Sequence, residues 1–338
     1  MLNNLKRIAP AIGLFLLSPL IAEFLLGNIS IDLLLTAGPF VALGYGTGAL
    51  LIREVTRRTN RGWRTMILLG LAYAVFLEGL VNQTLFNPSI FGLNLLDTAY
   101  IPAIGMGAWW TLMVLTLHTV WSMSVSIALV ETLVPNRRTT PWLGKAGLAV
   151  TTLLFFLGAA LGFVAFYFQE RFLASPPQLI GSLIAIVAIV VFAFKVRPYL
   201  RSQITRRAPS PRVVGLVSLL TSSVFMASNL VVDFVPGWAL VGMYLVLYIL
   251  MIKLVSYWSR SQEWGNAHQL ALAGGALLTY AWYGFPQLPT IGSKGVVDLI
   301  GNGIFAIGAC VLLAIINRTV HQTDQRASDQ SNHDSSLN

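Results

Sequence analysis

Three residues able to move a proton stand inside apolar runs of this chain. Glu78 lies in "YAVFLEGLVNQTLFNP", residues 73 to 88, with Asn82 four positions on and so on the same helical face. His118 lies in "TLHTVWSMSVSIALVE", where a helix would put Thr111, Ser122 and Ser126 on its face. Glu23 closes the first run, "IAPAIGLFLLSPLIAEF". A carboxyl and an imidazole within reach of each other can share a proton, which equips a site for acid–base chemistry on water. The same pair would equip a proton-coupled carrier, and hydrogen bonding between helices is a third role for such residues. All three readings are open from the residues alone.

The elements that must position these groups follow from composition. Hydrophobic residues make up 56% of the chain and charged residues 10%, against about 25% charged in a typical soluble domain. Mean hydropathy is +0.72. Apolar segments near 20 residues recur, each long enough to cross a hydrocarbon core of roughly 30 Å. The expectation is an all-α, polytopic transmembrane helical bundle with a lipid bilayer as its solvent. Ten spans are predicted, near 8–26, 33–53, 63–84, 107–133, 147–169, 178–195, 213–233, 238–256, 267–284 and 296–316. Residues 1–320 form one domain, with a polar-site half over about 8–145 and a second half over about 146–317. The polar stretch 321–338 reads as a disordered cytoplasmic tail. The basic-then-apolar start reads as a retained first helix rather than a cleaved signal.

Charge distribution orients the bundle. The net charge is +9, but the basic residues sit in short clusters between apolar runs, which excludes a nucleic-acid surface and suits a topology signal. With ten spans, Arg57, Arg58, Arg61 and Arg64, then Arg137, Arg138 and Lys145, then Lys195, Arg197, Arg201, Arg206, Arg207 and Arg212, and then Lys253 and Arg260 all fall on one side. The other side keeps Arg171 and Lys294. Both termini are therefore expected in the cytoplasm, with the cell membrane of a bacterium as the setting. On that topology Glu23 and Glu78 rise about 22 Å from the cytoplasmic end, and His118 descends about 15 Å from the outer one. All three then fall within roughly 7 Å of one level.

Other features read as structure. Gly44-x-x-x-Gly48 and Gly158-x-x-x-Gly162 are expected to let helices approach closely. Arg53 and Glu54 read as interfacial anchors, and Glu131 as the partner of a loop arginine. Asp233, Asp298 and Asn302 are expected at solvated span ends, and Trp63, Trp109, Trp110, Trp142, Trp238, Trp258 and Trp282 in an aromatic belt. The single cysteine, Cys310, supports neither a disulfide framework nor a cysteine metal cluster. H-E-x-x-H, G-x-S-x-G and G-x-x-x-x-G-K-[ST] motifs are absent. No cofactor is specified, and whether a metal binds is open.

At "FLEGLVNQTLFNP" followed by "TLHTVWSMSVSIALVE", with "GALLIREVTRR" and "RGWRTMILLGLAYAVFLEG" before them, residues 18 to 145 resemble a group of bacterial multi-pass membrane proteins. That group distantly resembles the CPBP intramembrane proteases, which include CAAX prenyl endopeptidases and bacteriocin-processing proteins. Their E-E-x-x-x-R motif would fall on Leu77, Glu78 and Asn82, keeping the second glutamate, with asparagine in place of arginine. Their F-x-x-x-H would run from Val114 to His118, keeping the histidine. A third motif, H-x-x-x-N, has no counterpart. The resemblance implies a glutamate-dependent peptidase in which Glu78 activates water, His118 orients it or stabilises the oxyanion, and Asn82 hydrogen-bonds at the site. The implied substrate is a membrane-embedded peptide; apart from the resemblance, the placing of Glu23 on another helix suggests it as a second carboxylate. A small molecule is the substrate class on the carrier reading.

Overall fold

A computed structural model describes residues 2–196 and 207–336, so Arg197, Arg201 and Arg206 of the third basic cluster lie outside the described residues. Ten helices are described. α1 (Leu2–Pro19) continues as a π-helical segment, Leu20–Leu25. α2 spans Ala37–Arg58, and α3 spans Trp63–Phe76 before a π-helical turn at Leu77–Val81. α4 is three pieces in one line: Ala108–Thr116, a π-helical segment Leu117–Val125, and Ser126–Leu133. Then come α5 (Lys145–Glu170), α6 (Pro176–Lys195), α7 (Pro211–Ala227), α8 (Gly237–Trp258), α9 (Asn266–Tyr283) and α10 (Val296–Ser336). A hairpin in the α3–α4 connector pairs β1 (Tyr100–Ile101) with β2 (Met106–Gly107), antiparallel.

Local chemistry explains where the helices start. Pro176 and Pro211 occupy the first helical positions of α6 and α7, where a missing N–H costs nothing. Ser175 and Gln178 form a capping box at α6. Extended glycines (Gly62, Gly144, Gly265) precede α3, α5 and α9. The polar stretch after His321 carries no Gly or Pro to stop a helix, and α10 continues through it to Ser336.

The helices alternate direction, and cross-contacts sort their ends into two sets. At the basic end, Arg137 donates to the carbonyl of Arg7, Arg61 to that of Val196, and Arg138 to the side chain of Asn266. At the opposite end, Thr290 donates to Asn28, Ser293 to Asp32, and Gln178 to the Ile104 carbonyl.

Eight of the ten helices are long and apolar enough to cross a membrane; α2, with four charged residues in its last turns, and the 18-residue α9 are outside that set. In the most apolar 18-residue stretch of each helix, 72% of the residues are buried in α4 against 17% in α5 and 11% in α6, so α4 is central while α5 and α6 present Leu, Ile, Val and Phe outward. Trp121 of α4 stacks on Tyr280 of α9 with centroids 4.7 Å apart and donates to the Ala276 carbonyl at 2.7 Å. The glycine pairs do pack helices: a Cβ on Gly158 would meet Leu43 at 2.7 Å, and one on Gly48 would meet the Tyr73 ring at 2.5 Å.

Several side chains expected at span ends are internal instead. Arg53 and Glu54 are fully buried, and Glu131 pairs with Arg53 (3.1 Å) and Arg57 (2.5 Å) of α2 rather than with a loop arginine. The reason is supply of acceptors: Arg53 also reaches Glu54 at 2.8 Å and the carbonyls of Arg137, Arg138 and Thr140. Trp142 is buried beneath the Arg53 guanidinium, 3.4 Å from the ring centroid, and Trp109 is buried too, so neither belongs to an aromatic belt. Asp298 and Asn302 are buried, with Asn302 donating to the Gly284 carbonyl at 2.7 Å.

Candidate functional site

Each ionisable residue picked out above sits on a π-helical segment. Glu23 is in Leu20–Leu25, Glu78 in Leu77–Val81, and His118 in Leu117–Val125. A π turn widens the helix by one residue, re-aims its side chains and recurs at functional sites. The widening is visible in the hydrogen bonds. Asn82 N–H donates to Leu77 O and Asn28 N–H to Glu23 O, each five residues back. The hydroxyls of Ser124 and Ser126 likewise reach Thr119 O and Trp121 O.

These segments bring the side chains together. His118 Nε2 lies 2.9 Å from Glu78 Oε1, and its Nδ1 lies 3.2 Å from Ser122 Oγ. Asn82 Nδ2 donates to the same Glu78 oxygen at 3.0 Å. The second Glu78 oxygen accepts from the Thr84 hydroxyl, which in turn accepts from Trp110 Nε1 at 3.3 Å. Thr84 gets there because Gln83 takes a left-handed backbone (φ 56°) and turns the chain back over the end of α3.

Glu23 belongs to the same cluster. Its carboxylate accepts a hydrogen bond from Asn28 Nδ2 at 2.6 Å and lies within electrostatic reach of Tyr45, His118 and Glu78. The Tyr45 ring packs on the His118 ring with centroids 5.6 Å apart. Ser18 fastens α1 to its neighbours by donating to Ser122 O at 2.8 Å and Tyr45 O at 3.2 Å. Glu78 is 2% exposed, and Glu23 and His118 are 8% exposed.

The structure thus joins Glu23, Glu78, Asn82 and His118, with Ser122 on His118. Thr111, expected on the same face, has a buried hydroxyl without a partner, and Ser126 turns to the backbone, because the π segment between them breaks the α-helical spacing. Sequence reasoning missed Tyr45, Thr84 and Asn28. Tyr45 carried a signal, a tyrosine among glycines in the middle of a span ("GYGTG"); Thr84 and Asn28 did not, since loop turns deliver them. Also unforeseen is the Tyr73 hydroxyl, buried near Glu78 and Glu23 without a hydrogen-bond partner.

Beside Asn82 lies a small cavity of about 10 Å³, lined by Gln83, Asn87, Tyr167, Glu170 and Phe172 among others. That is room for about one water against several polar partners. Among the described residues, no group of three or more His, Cys, Asp or Glu is arranged to hold a metal ion.

A bundle of long apolar helices with a buried acid–base cluster defines a multi-pass helical membrane protein. The chain belongs to an uncharacterized membrane protein family, whose model matches residues 14–283. Neither a curated protein nor a solved structure matches it.

Proposed function

We propose that this protein is a ten-span enzyme of a bacterial inner membrane, with both termini in the cytoplasm, and that Glu78 performs acid–base chemistry on water as a CPBP-like, glutamate-dependent intramembrane peptidase. One observation carries the reading: three separate π-helical segments converge, and each contributes one ionisable side chain to a single buried cluster. Glu78 accepts the proton of a water whose oxygen bonds to the scissile carbonyl carbon. His118 Nε2 and Asn82 Nδ2 hold the carboxylate in place from 2.9 and 3.0 Å. The C–N bond then breaks as the proton passes to the departing nitrogen. Glu23, held by Asn28, supplies a second carboxyl group in the same cluster as His118. The one-water cavity at Asn82 supports a source for the attacking water.

The test compares wild type and Glu78→Gln reconstituted at equal folded amounts in liposomes with a mixture of membrane proteins, reading new peptide termini. A general base contributes about 10²–10⁴-fold, so cleavage should fall by at least that much. Equal cleavage by both proteins, or none by wild type, overturns the reading. A second reading, a non-catalytic scaffold, draws on one observation: both Glu78 oxygens already accept hydrogen bonds, from His118, Asn82 and Thr84. It predicts that Glu78→Gln changes stability and no peptide terminus.

A further inference from the structure

The end opposite the basic clusters holds a second, larger concavity. It measures about 520 Å³ and opens between the α3–α4 connector and the residues joining α5 to α6. Phe86, Leu96, Asp97, Tyr100, Phe172 and Gln178 form its working surface. Its walls are held in place before any ligand arrives. Phe86 and Leu96 are buried, and the Ala174 amide donates to the Gln83 side-chain carbonyl at 2.6 Å. Gln178 is fixed by Ser175, whose hydroxyl donates to it at 2.9 Å, and itself donates to the Ile104 carbonyl. Gly105 makes that last contact feasible: its backbone is left-handed (φ 66°), and a Cβ there would stand 2.9 Å from Gln178 Nε2. Pockets of this volume with preset walls are where small ligands bind at little ordering cost.

Charge specifies the ligand. Asp97 is the ionisable acid of the lining, and its carboxylate has no hydrogen-bond or ion-pair partner among the described residues. Arg171, the cation next in the chain to Phe172, lies over the Phe168 ring instead, 5.1 Å from its centroid. The rings of Tyr100, Phe86 and Phe172 line the same concavity as Asp97, which is exposed in its wall, and aromatic rings attract cations and cover apolar stems. A carboxylate that shares a concavity with three aromatic rings is complementary to a cation on a hydrophobic body.

We propose that this concavity binds a primary ammonium carried on an apolar stem, with Asp97 as counter-ion and Tyr100, Phe86 and Phe172 around the stem. A lysine side chain or amino terminus of a peptide presents that group, and so does an ethanolamine lipid headgroup. Phe172 also lines the small cavity at Asn82, so one ring separates the concavity from the residue that touches Glu78. On the peptidase reading, on which this last link rests, the concavity holds the exposed end of the peptide being cut.

The test uses the full chain in phosphatidylcholine nanodiscs and two probes of the same shape, 4-phenylbutylamine and 4-phenylbutanol. The amine should bind at least tenfold more tightly than the alcohol. Asp97→Asn should erase that difference, and Tyr100→Ala should weaken both probes. Competition by phosphatidylethanolamine in the disc would identify a lipid as the source of the ammonium, and competition by a lysine-containing apolar peptide would identify a peptide. Glu78→Gln should bind the amine as wild type does, which separates this proposal from the catalytic one. Equal affinity for amine and alcohol, undiminished amine binding by Asp97→Asn, or no binding of either probe overturns it.

Discussion

His118 Nε2 and Glu78 Oε1 are 2.9 Å apart, although 40 residues separate them in the chain and each sits on its own π-helical segment. Breaking a buried pair by removing one partner costs about 3–5 kcal/mol, because the other is left uncompensated. His118→Ala should therefore destabilise strongly, and Glu78→Gln/His118→Ala by less than the sum of the single changes. A double-mutant cycle from unfolding in detergent should yield a coupling of about 0.5–3 kcal/mol. Strict additivity would show that the pair does not hold the helices.

At the basic end, Glu131 takes three hydrogen bonds from Arg53 and Arg57, and all three side chains are buried. Glu131→Ala should cost about 3–5 kcal/mol. Arg53→Lys should also destabilise, since an ammonium cannot reach two carboxylates and three carbonyls at once or lie flat on Trp142. Thermal unfolding of the two variants against wild type checks this.

The Gly48–Tyr73 contact makes a size prediction. Gly48→Ala puts a methyl carbon 2.5 Å from a Tyr73 ring carbon, and overpacking of this kind costs about 1–3 kcal/mol. Adding Tyr73→Leu should return part of that loss by vacating the ring. If Gly48→Ala alone leaves the melting temperature unchanged, the close approach is not what that glycine provides.

One carboxylate outside the spans carries a pH signature. Asp32 accepts from the Ser293 hydroxyl at 2.7 Å and from the Ser293 amide at 3.3 Å, and these bonds hold its pKa below the usual 3.8. A folded-state pKa below the unfolded value means the contribution is present above pH 3.8 and is lost as pH falls through the lower folded value. Acidification below pH 4 should therefore loosen the contact between the α1–α2 and α9–α10 connectors. Asp32→Asn should remove that component of the pH dependence, and hydrogen exchange at residues 28–33 and 290–293 would report it.

Much of the bundle was legible because lipid imposes a simple rule: every span must be apolar for about 20 residues and bond its own backbone. Each of the ten predicted segments is helical, eight of them long and apolar enough to cross a membrane, with ends displaced by a few residues except in the last, which runs on past 316 to Ser336. Depth arithmetic set Glu23, Glu78 and His118 at one level because helical rise is constant. The burial of Arg53, Glu54 and Glu131 was not legible, since a charge near a span end looks the same whether it snorkels to water or meets a partner from another helix.

What the sequence by itself determined is a helical membrane chain with acid–base groups inside its apolar runs, expected at matched depth. Both follow from composition and from rise per residue, quantities local to one segment. Only the tertiary structure decided that those groups meet. The π-helical widenings turn Glu23, Glu78 and His118 inward, Gln83 reverses the chain to bring Thr84 onto Glu78, and Tyr45 arrives from α2. Rotation about a helix axis and the fold of a loop are set by packing among segments far apart in the chain, and no spacing rule within one segment encodes them.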